Sequence, residues 1–351
     1  MRVEFFLMDA MEVANFAPVC RSLRAKGVDA RLIASPRDAH GADENWLDFE
    51  NAVELLMEQG IPYSTRPDYD CELAVTTQRS LHLNDYRGLK VRLAYTVGLY
   101  ESEELQETRA RGFDAVLVQG AYAKPFIARW LGDSKVSVVG FPKYDAFFLD
   151  PPDRVAVARS LGLSPTKKVA VYLPTWEARS SLDVFLEPLE DVARRCNVQI
   201  LVKPHHCTPR FEPERYRRLK RSAHLRLLPT NFPSAELFAV SDLAVVDALS
   251  GVMGEAILTY PEKPLICLCP NRALLDSQMD PAFEKICPTL TRPGELSALA
   301  CRLSLEGATE AEQLEARATA RDRLFAFKDG TAADHAAEAM IGLVERQLAR
   351  L

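Results

Sequence analysis

Four short stretches in the later half of the chain stand where a strand or turn gives way to a helix or loop, and three of them combine residue types that can seat and process an anionic ligand. The first is LVKPHH, Leu201–His206, where an apolar run ends in a lysine, a proline and two adjacent histidines. Lys203 can neutralise negative charge, and His205 or His206 can donate to a phosphate oxygen or exchange a proton near neutral pH. The second, VYLPTWE, Val171–Glu177, carries the hydroxyl of Thr175 and the flat surface of Trp176 just past another apolar run. A Trp packed between helix and sheet, with Thr175 as a cap, accounts for the same residues. The third, DLAVVDALSGVMGEAI, Asp242–Ile257, runs from a strand into Ser250-Gly251 and directly into a helical pattern. Free backbone N–H groups and the positive end of the helix dipole make such a junction an anion site. Gly251 lets a phosphate approach closely, and Glu255, one turn on, can face a ribose or a cleft; a plain cap at Ser250 is the alternative. The fourth, FKDGTAADH, Phe327–His335, reads as an Asp329-Gly330 turn with Thr331 capping the next helix.

Polar groups at the ends of apolar runs acquire a common direction only if the runs are strands of one parallel sheet. The chain has that pattern twice. Strands are expected at Val3–Met8, Ala30–Ala34, Leu73–Thr77, Val91–Thr96, Ala115–Gln119 and Val136–Val139, with helices at Val13–Lys26, Trp46–Gln59, Glu101–Arg111 and Tyr122–Leu131. The prolines of FPKYDAFFLDPP, Phe141–Pro152, mark a boundary, which puts one domain at residues 1–150 and a second at 151–351. In the second, strands are expected at Val169–Leu173, Gln199–Lys203, Leu225–Leu228, Leu243–Val246 and Pro264–Leu268, and helices at Leu182–Arg195, Pro213–Arg221, Ala235–Val240 and Gly251–Thr259. Two terminal helices, Glu310–Phe327 and Ala332–Leu348, complete it. The fold class is α/β, two doubly wound Rossmann-like domains whose strand ends face a central cleft where a ligand would sit.

Composition narrows the function. A hydrophobic content of 48% and a charged content of 26% over 351 residues are those of a globular chain of about two domains. A net charge of −6 gives no general attraction to nucleic acid. Eight cysteines without CxxC pairing read as buried thiols of a reducing compartment, with no metal site expected. No apolar run has the length to span a bilayer, so the expected location is cytoplasmic. The basic run RFEPERYRRLKRSAHLR, Arg210–Arg226, is either a face for an anionic membrane, hence a peripheral contact at its inner side, or a solvated helix face.

In their order along the chain, VYLPTWE, LVKPHH, Asp247 with SGVMGEA, KPLICL and FKDGTAADH resemble the carboxyl-terminal half of the CDP-glycerol glycerophosphotransferases, which build teichoic-acid-type polymers on the GT-B fold. AVLVQGAYAKPFIARWLG and VVGFPKYDAFF are similar to the segments that close that family's first domain. The resemblance spans about Asp114 to His335. It implies an acceptor domain followed by a nucleotide-donor domain, and transfer of a glycerol-phosphate or similar polyol-phosphate group from a CDP-linked donor to a hydroxyl of a polymer or lipid-linked acceptor. It implies no cofactor beyond that donor. On the matched positions, His205 is the histidine after the lysine-bearing strand end and Ser250 a serine contacting the donor diphosphate. Thr175 and Lys203 are matched as well; Trp176, His206, Gly251 and Glu255, read from their own chemistry above, complete the expected donor-binding set.

Two departures stand out. The His-Gly pair that holds the family's catalytic base is replaced by Thr96 and Val97 before Gly98, in LAYTVGLYES, and the aspartate of the family's Asp-x-Ser-Ser pattern is displaced, Asp247 preceding Ser250 by three residues. Carboxylates near strand ends of the first domain, Asp9, Glu12 and Glu101, are the candidates for the base. Three other functions remain open. One is a nucleotide-sugar glycosyltransferase of capsule or lipopolysaccharide synthesis. Another is an enzyme like the non-hydrolysing UDP-N-acetylglucosamine 2-epimerases, whose opening MDAMEVANFAPVCRSLRAKG resembles. The third is a donor-binding protein without catalysis.

Overall fold

The computed structural model describes residues 1–7, 10–34, 49–77, 81–95, 107, 110–296 and 310–349. The chain forms two units: its described residues up to Pro151, joined by those from Asp322 onward, make the first, and Pro152–Arg321 makes the second.

The first unit is built on seven parallel strands, β1 (Arg2–Phe6), β2 (Asp29–Ile33), β3 (Tyr63–Ser64), β4 (Leu73–Thr76), β5 (Leu89–Leu93), β6 (Ala115–Val118) and β7 (Val136–Val138), in the order β3-β2-β1-β4-β5-β6-β7. Val3 of β1 lies opposite both Ala30 of β2 and Leu73 of β4, so the chain reverses its direction of travel across the sheet at the β1–β4 neighbourhood. In a doubly wound sheet that is where ligands lodge. The strands β4 and β6 are buried at every residue, the continuous apolar signature of a sheet covered on both faces.

The last helix, Ala332–Leu348, belongs to this first unit, which corrects its expected place in the second domain. Its stripe of Ala333, Ala336, Ala337, Met340 and Val344 is buried in the same core as Val13, Phe16 and Leu23 of the helix Val13–Ala25. Burying residues of this kind contributes roughly 1.5–3 kcal/mol for each large side chain, whereas local periodicity says only that a face is apolar and not which core it joins. The cap of this helix also differs from expectation. Its first amides, Ala332 N–H and Ala333 N–H, donate to the Asp145 carboxylate at 3.1 and 2.7 Å, while the Thr331 hydroxyl turns back to Asp329. The segments VVGFPKYDAFF and FKDGTAADH are therefore two halves of one structural joint.

Gly140 sits in that joint with φ of 83°, and a Cβ there would lie 2.7 Å from the Ala332 Cβ and 2.9 Å from the Ala326 carbonyl oxygen. Gly140→Ala is expected to cost at least ~1–2 kcal/mol from the left-handed backbone alone, before any displacement of the last helix. Chemical denaturation followed by circular dichroism checks this; an unchanged midpoint would mean that the joint tolerates the methyl group.

The second unit has six parallel strands, β8 (Lys168–Leu173), β9 (Val198–Val202), β10 (Leu225–Leu227), β11 (Leu243–Asp247), β12 (Leu265–Leu268) and β13 (Thr289–Leu290), in the order β10-β9-β8-β11-β12-β13. The helix Leu182–Arg195 buries Leu182, Phe185, Leu186, Leu189 and Val192, spaced by three and four residues, against this sheet. Its outer face carries Asp183, which pairs with Arg215 at 2.6 Å and Arg218 at 2.8 Å. Arg215 also meets Glu212, and Arg217 meets Glu214. Much of the basic run is thus paired within the unit, as on a solvated helix face. Among the described residues, no helix is long and apolar enough to cross a membrane.

Candidate functional site

In the second sheet the direction of travel reverses between β8 and β11, which are hydrogen-bonded neighbours, and β9 flanks β8 on its other side. The carboxyl ends of these three adjacent strands carry three of the sequence motifs: Thr175 and Trp176 after β8, Lys203 to His206 after β9, and Ser250 and Gly251 after β11. Strands in one parallel sheet stand about 4.8 Å apart, so the register alone brings these motifs to one edge. Thr175, Lys203, Ser250 and Glu255 are each less than a tenth exposed, while Trp176, His205, His206 and Gly251 are half-buried.

Ser250 has extended backbone and is the N-cap of the helix Gly251–Thr259, its Oγ accepting the Val252 N–H at 3.3 Å. The capping reading and the anion-site reading are compatible here. An oxygen that accepts from Val252 still carries a hydroxyl proton to donate, beside the positive end of a nine-residue helix.

The histidines form part of a ring column. Trp176 stacks on His205 with centroids 5.6 Å apart and planes 10° apart, and its ring meets Phe211 at 5.9 Å, while His206 lies 4.1 Å from His205. Trp176 therefore braces His205 with the surface that the sequence reading reserved for a ligand. The Cys207 N–H donates to His205 Nδ1 at 3.2 Å. Burial, followed by the neighbouring His206, Lys203 and Arg179, holds the His205 imidazole well below the usual histidine range. A neutral ring accepting at Nδ1 carries its proton on Nε2, which makes His205 a hydrogen-bond donor rather than a base.

His205, His206 and Cys207 place one potential metal-ligand atom each within 4.8 Å of the others. The two imidazoles, however, pack against each other with centroids 4.1 Å and planes 31° apart, and Nδ1 of His205 already accepts from the Cys207 N–H. The geometry suits stacking better than metal binding. Among the described cysteines, Cys20, Cys71, Cys207, Cys267, Cys269 and Cys287 are free and buried.

Sequence reasoning named Asp247 only alongside the SGVMGEA motif and gave it no role, yet it is the group that ties the strand ends together. Asp247, the last residue of β11, is fully buried and accepts from Thr175 N–H at 2.7 Å, from Ser181 N–H at 3.2 Å and from the Ser181 hydroxyl. Burial pushes its carboxyl up to about 7, against the Ser181 hydroxyl and the two backbone amides, which draw it down. The available signal was a lone carboxylate closing an otherwise apolar strand, three residues before a Ser-Gly helix start.

At the other end of this sheet, a small cavity beside Pro261–Leu265 is lined by Lys263 and Arg317. The Lys263 ammonium donates to the carbonyls of Phe238, Ala239 and Ser241, and Arg317 to those of Ile286, Pro261 and Lys263. These cations close a helix end and anchor the helix Ala311–Leu324, a structural task.

In the first unit, Glu12 follows β1 and is buried, and it accepts from the hydroxyl of Thr77, which follows β4. Arg92 Nε donates to the Thr77 carbonyl at 2.8 Å. Of the three carboxylates considered for the base, Glu12 thus lies at the reversal point of the first sheet, while Asp9 and Glu101 lie outside the described residues, as do Thr96, Val97 and Gly98.

The model of the family CDP-Glycerol:Poly(glycerophosphate) glycerophosphotransferase matches residues 90–341 of the chain. Among solved structures, the wall teichoic acid polymerase TagF is similar at 16% identity and a TM-score of 0.68, the match covering 99% of this chain and 90% of that one. A Listeria monocytogenes protein described as a UDP-N-acetylglucosamine 2-epimerase is similar at 13% identity and a TM-score of 0.64, covering 99% and 97%. Anabaena Alr3699/HepE, solved with UDP and glucose, is similar at 14% identity and a TM-score of 0.58, covering 98% and 100%. At these identities the structures share the fold, which is of the GT-B type. No curated protein matches the sequence.

Proposed function

The chain belongs to the CDP-glycerol:poly(glycerophosphate) glycerophosphotransferase family, and on that premise we propose that its second unit seats CDP-glycerol at the ends of β8, β9 and β11 for transfer of glycerol phosphate to a teichoic-acid-type polymer. Family membership makes it a transferase of this kind; the residues and their roles are the proposal. The observation that supports them is the convergence of Thr175, Lys203, His205, Ser250 and Gly251 on one edge of one sheet, inside the span that the family match covers.

In this reading a hydroxyl of the acceptor attacks the phosphorus that bears the glycerol. A new P–O bond forms, the bond from that phosphorus to the bridging oxygen breaks, and CMP leaves. Such transfer depends on alignment and on stabilising spread negative charge. His205 Nε2–H, the Ser250 hydroxyl, the Gly251 N–H at the helix start and the Lys203 ammonium supply that stabilisation. Glu12 takes the hydroxyl proton. The enzyme acts in the cytoplasm and meets a lipid-linked or polymeric acceptor at the inner membrane face. In the helix Pro213–Arg221, Arg215, Arg217 and Arg218 are already paired within the unit, which leaves Lys220 and Arg221 as its cations for that meeting.

The test is a thermal-shift panel of CDP-glycerol, UDP-, GDP- and CMP-linked donors, combined with an assay of CMP release in the presence of a glycerol-phosphate polymer. A ligand at a hundred times its Kd stabilises the native state by about 2.7 kcal/mol. CDP-glycerol is expected to raise the melting temperature and to yield CMP. A shift confined to UDP-sugars would move the assignment to a glycosyltransferase, and a shift with CDP-glycerol but no CMP to a binding protein.

A further inference from the structure

The loop from Pro174 to Ser181 leaves the end of β8 and returns to the helix Leu182–Arg195. Both ends of this loop are held by one side chain of the neighbouring strand. Asp247 takes the Thr175 amide at one end and the Ser181 amide and hydroxyl at the other. The Ser181 Oγ, having given its proton to the carboxylate, accepts from the Tyr172 hydroxyl at 2.6 Å. Tyr172, Ser181 and Asp247 are all fully buried. Midway, Glu177 adopts a left-handed φ of 59°, with its N–H on the Glu212 carboxylate at 3.0 Å and its carbonyl on Arg215 at 3.0 Å. A non-glycine residue keeps that conformation only where surrounding contacts impose it.

A carboxylate out of contact with water is costly unless its oxygens are satisfied by well-placed donors. Here the donors belong to the loop that bears Thr175 and Trp176, and the carboxylate stands three residues before Ser250. We propose that Asp247, with Ser181 and Tyr172 behind it, is a positioning group that fixes the Thr175 loop against the Ser250-Gly251 helix start, and so sets donor affinity without touching the donor. The proposal rests on the reading that CDP-glycerol binds at these strand ends.

Ionisation of Asp247 tightens the joint, because a charged acceptor makes the stronger hydrogen bonds. The groups facing it are Tyr172 of β8, Ser181, Arg215 of the helix Pro213–Arg221, and Cys267 and Cys269 around β12. Burial raises the thiols and the phenol, so they stay protonated over pH 6 to 8, and Arg215 stays charged. Protonation of the carboxyl through about 7 is the change left to act on the joint.

The experiment is isothermal titration of CDP-glycerol into the full chain at pH 6, 7 and 8, for the wild type and for Asp247→Asn, Ser181→Ala and Ser250→Ala. The wild type is expected to bind several-fold more tightly at pH 8 than at pH 6. Asp247→Asn is expected to be flat with pH and to sit at the wild type's low-pH affinity, and Ser181→Ala to lose about tenfold at pH 8. Histidine titrations occur in wild type and variant alike and drop out of the difference. Affinity that falls with rising pH would make Asp247 a like charge acting on the donor, and would overturn the positioning role. Wild-type binding by Asp247→Asn and Ser181→Ala, with binding lost in Ser250→Ala, would overturn this proposal alone. Wild-type binding by Ser250→Ala as well would remove the donor seat and the proposal together. If Asp247→Asn does not fold, Ser181→Ala and the wild-type pH profile decide the matter.

Discussion

Replacing His205 with alanine is expected to lower kcat/KM for CDP-glycerol by roughly a hundredfold or more, the usual loss when a preorganised donor to a developing oxyanion is removed. The expectation follows from how the ring is held. Trp176 and His206 fix its plane, and the Cys207 amide occupies Nδ1, so the proton stays on Nε2. Its neutrality matters as well, since burial and nearby positive groups keep the imidazolium from forming near pH 7. The residue therefore offers a fixed N–H dipole over the whole working pH range, and its contribution should show no histidine-like inflection between pH 6 and 8. His205→Gln, which still carries an amide N–H, should lose less than His205→Ala. Steady-state CMP release checks each point. An alanine variant within a few-fold of the wild type would leave Trp176 and His206 as packing alone.

The second large effect is expected at Glu12. Glu12→Gln keeps the shape and the bond to Thr77, yet removes the capacity to take a proton, so kcat should fall by about 10²–10⁴-fold, the range of general base catalysis. The KM for CDP-glycerol should hardly move, because the donor-binding groups belong to the second unit. Measuring kcat and KM separately distinguishes this from a folding defect, which would lower the active fraction in every assay. Full activity in Glu12→Gln would transfer the proton to another carboxylate, with Asp9 next.

Much of the architecture was legible because parallel strands buried on both faces leave near-continuous apolar runs, as LAVT at β4 and AVLV at β6 do. The two-residue strands β3 and β13 left no such run and were missed. The motifs Thr175-Trp176, Lys203–His206 and Ser250-Gly251 were legible as polar residues closing apolar runs, and the sheet order shows why they meet. What holds them was not legible, because it depends on contacts between distant parts of the chain. Asp247 and Ser181 are 66 residues apart, and Asp145 caps a helix 187 residues later. A carboxylate closing an apolar strand is a local signal for Asp247, but its partners across the chain leave no local trace. The last helix shows the same limit: its apolar stripe was evident, and its destination in the first unit was not.

One edge of the second sheet is proposed as a diphosphate seat. A crystal structure of the protein soaked with CDP-glycerol tests it most directly. The prediction is a diphosphate within hydrogen-bond distance of His205 Nε2, the Ser250 hydroxyl and the Gly251 amide, with Asp247 still bound to Thr175 and Ser181. A nucleotide bound with its phosphates away from those three groups would contradict it.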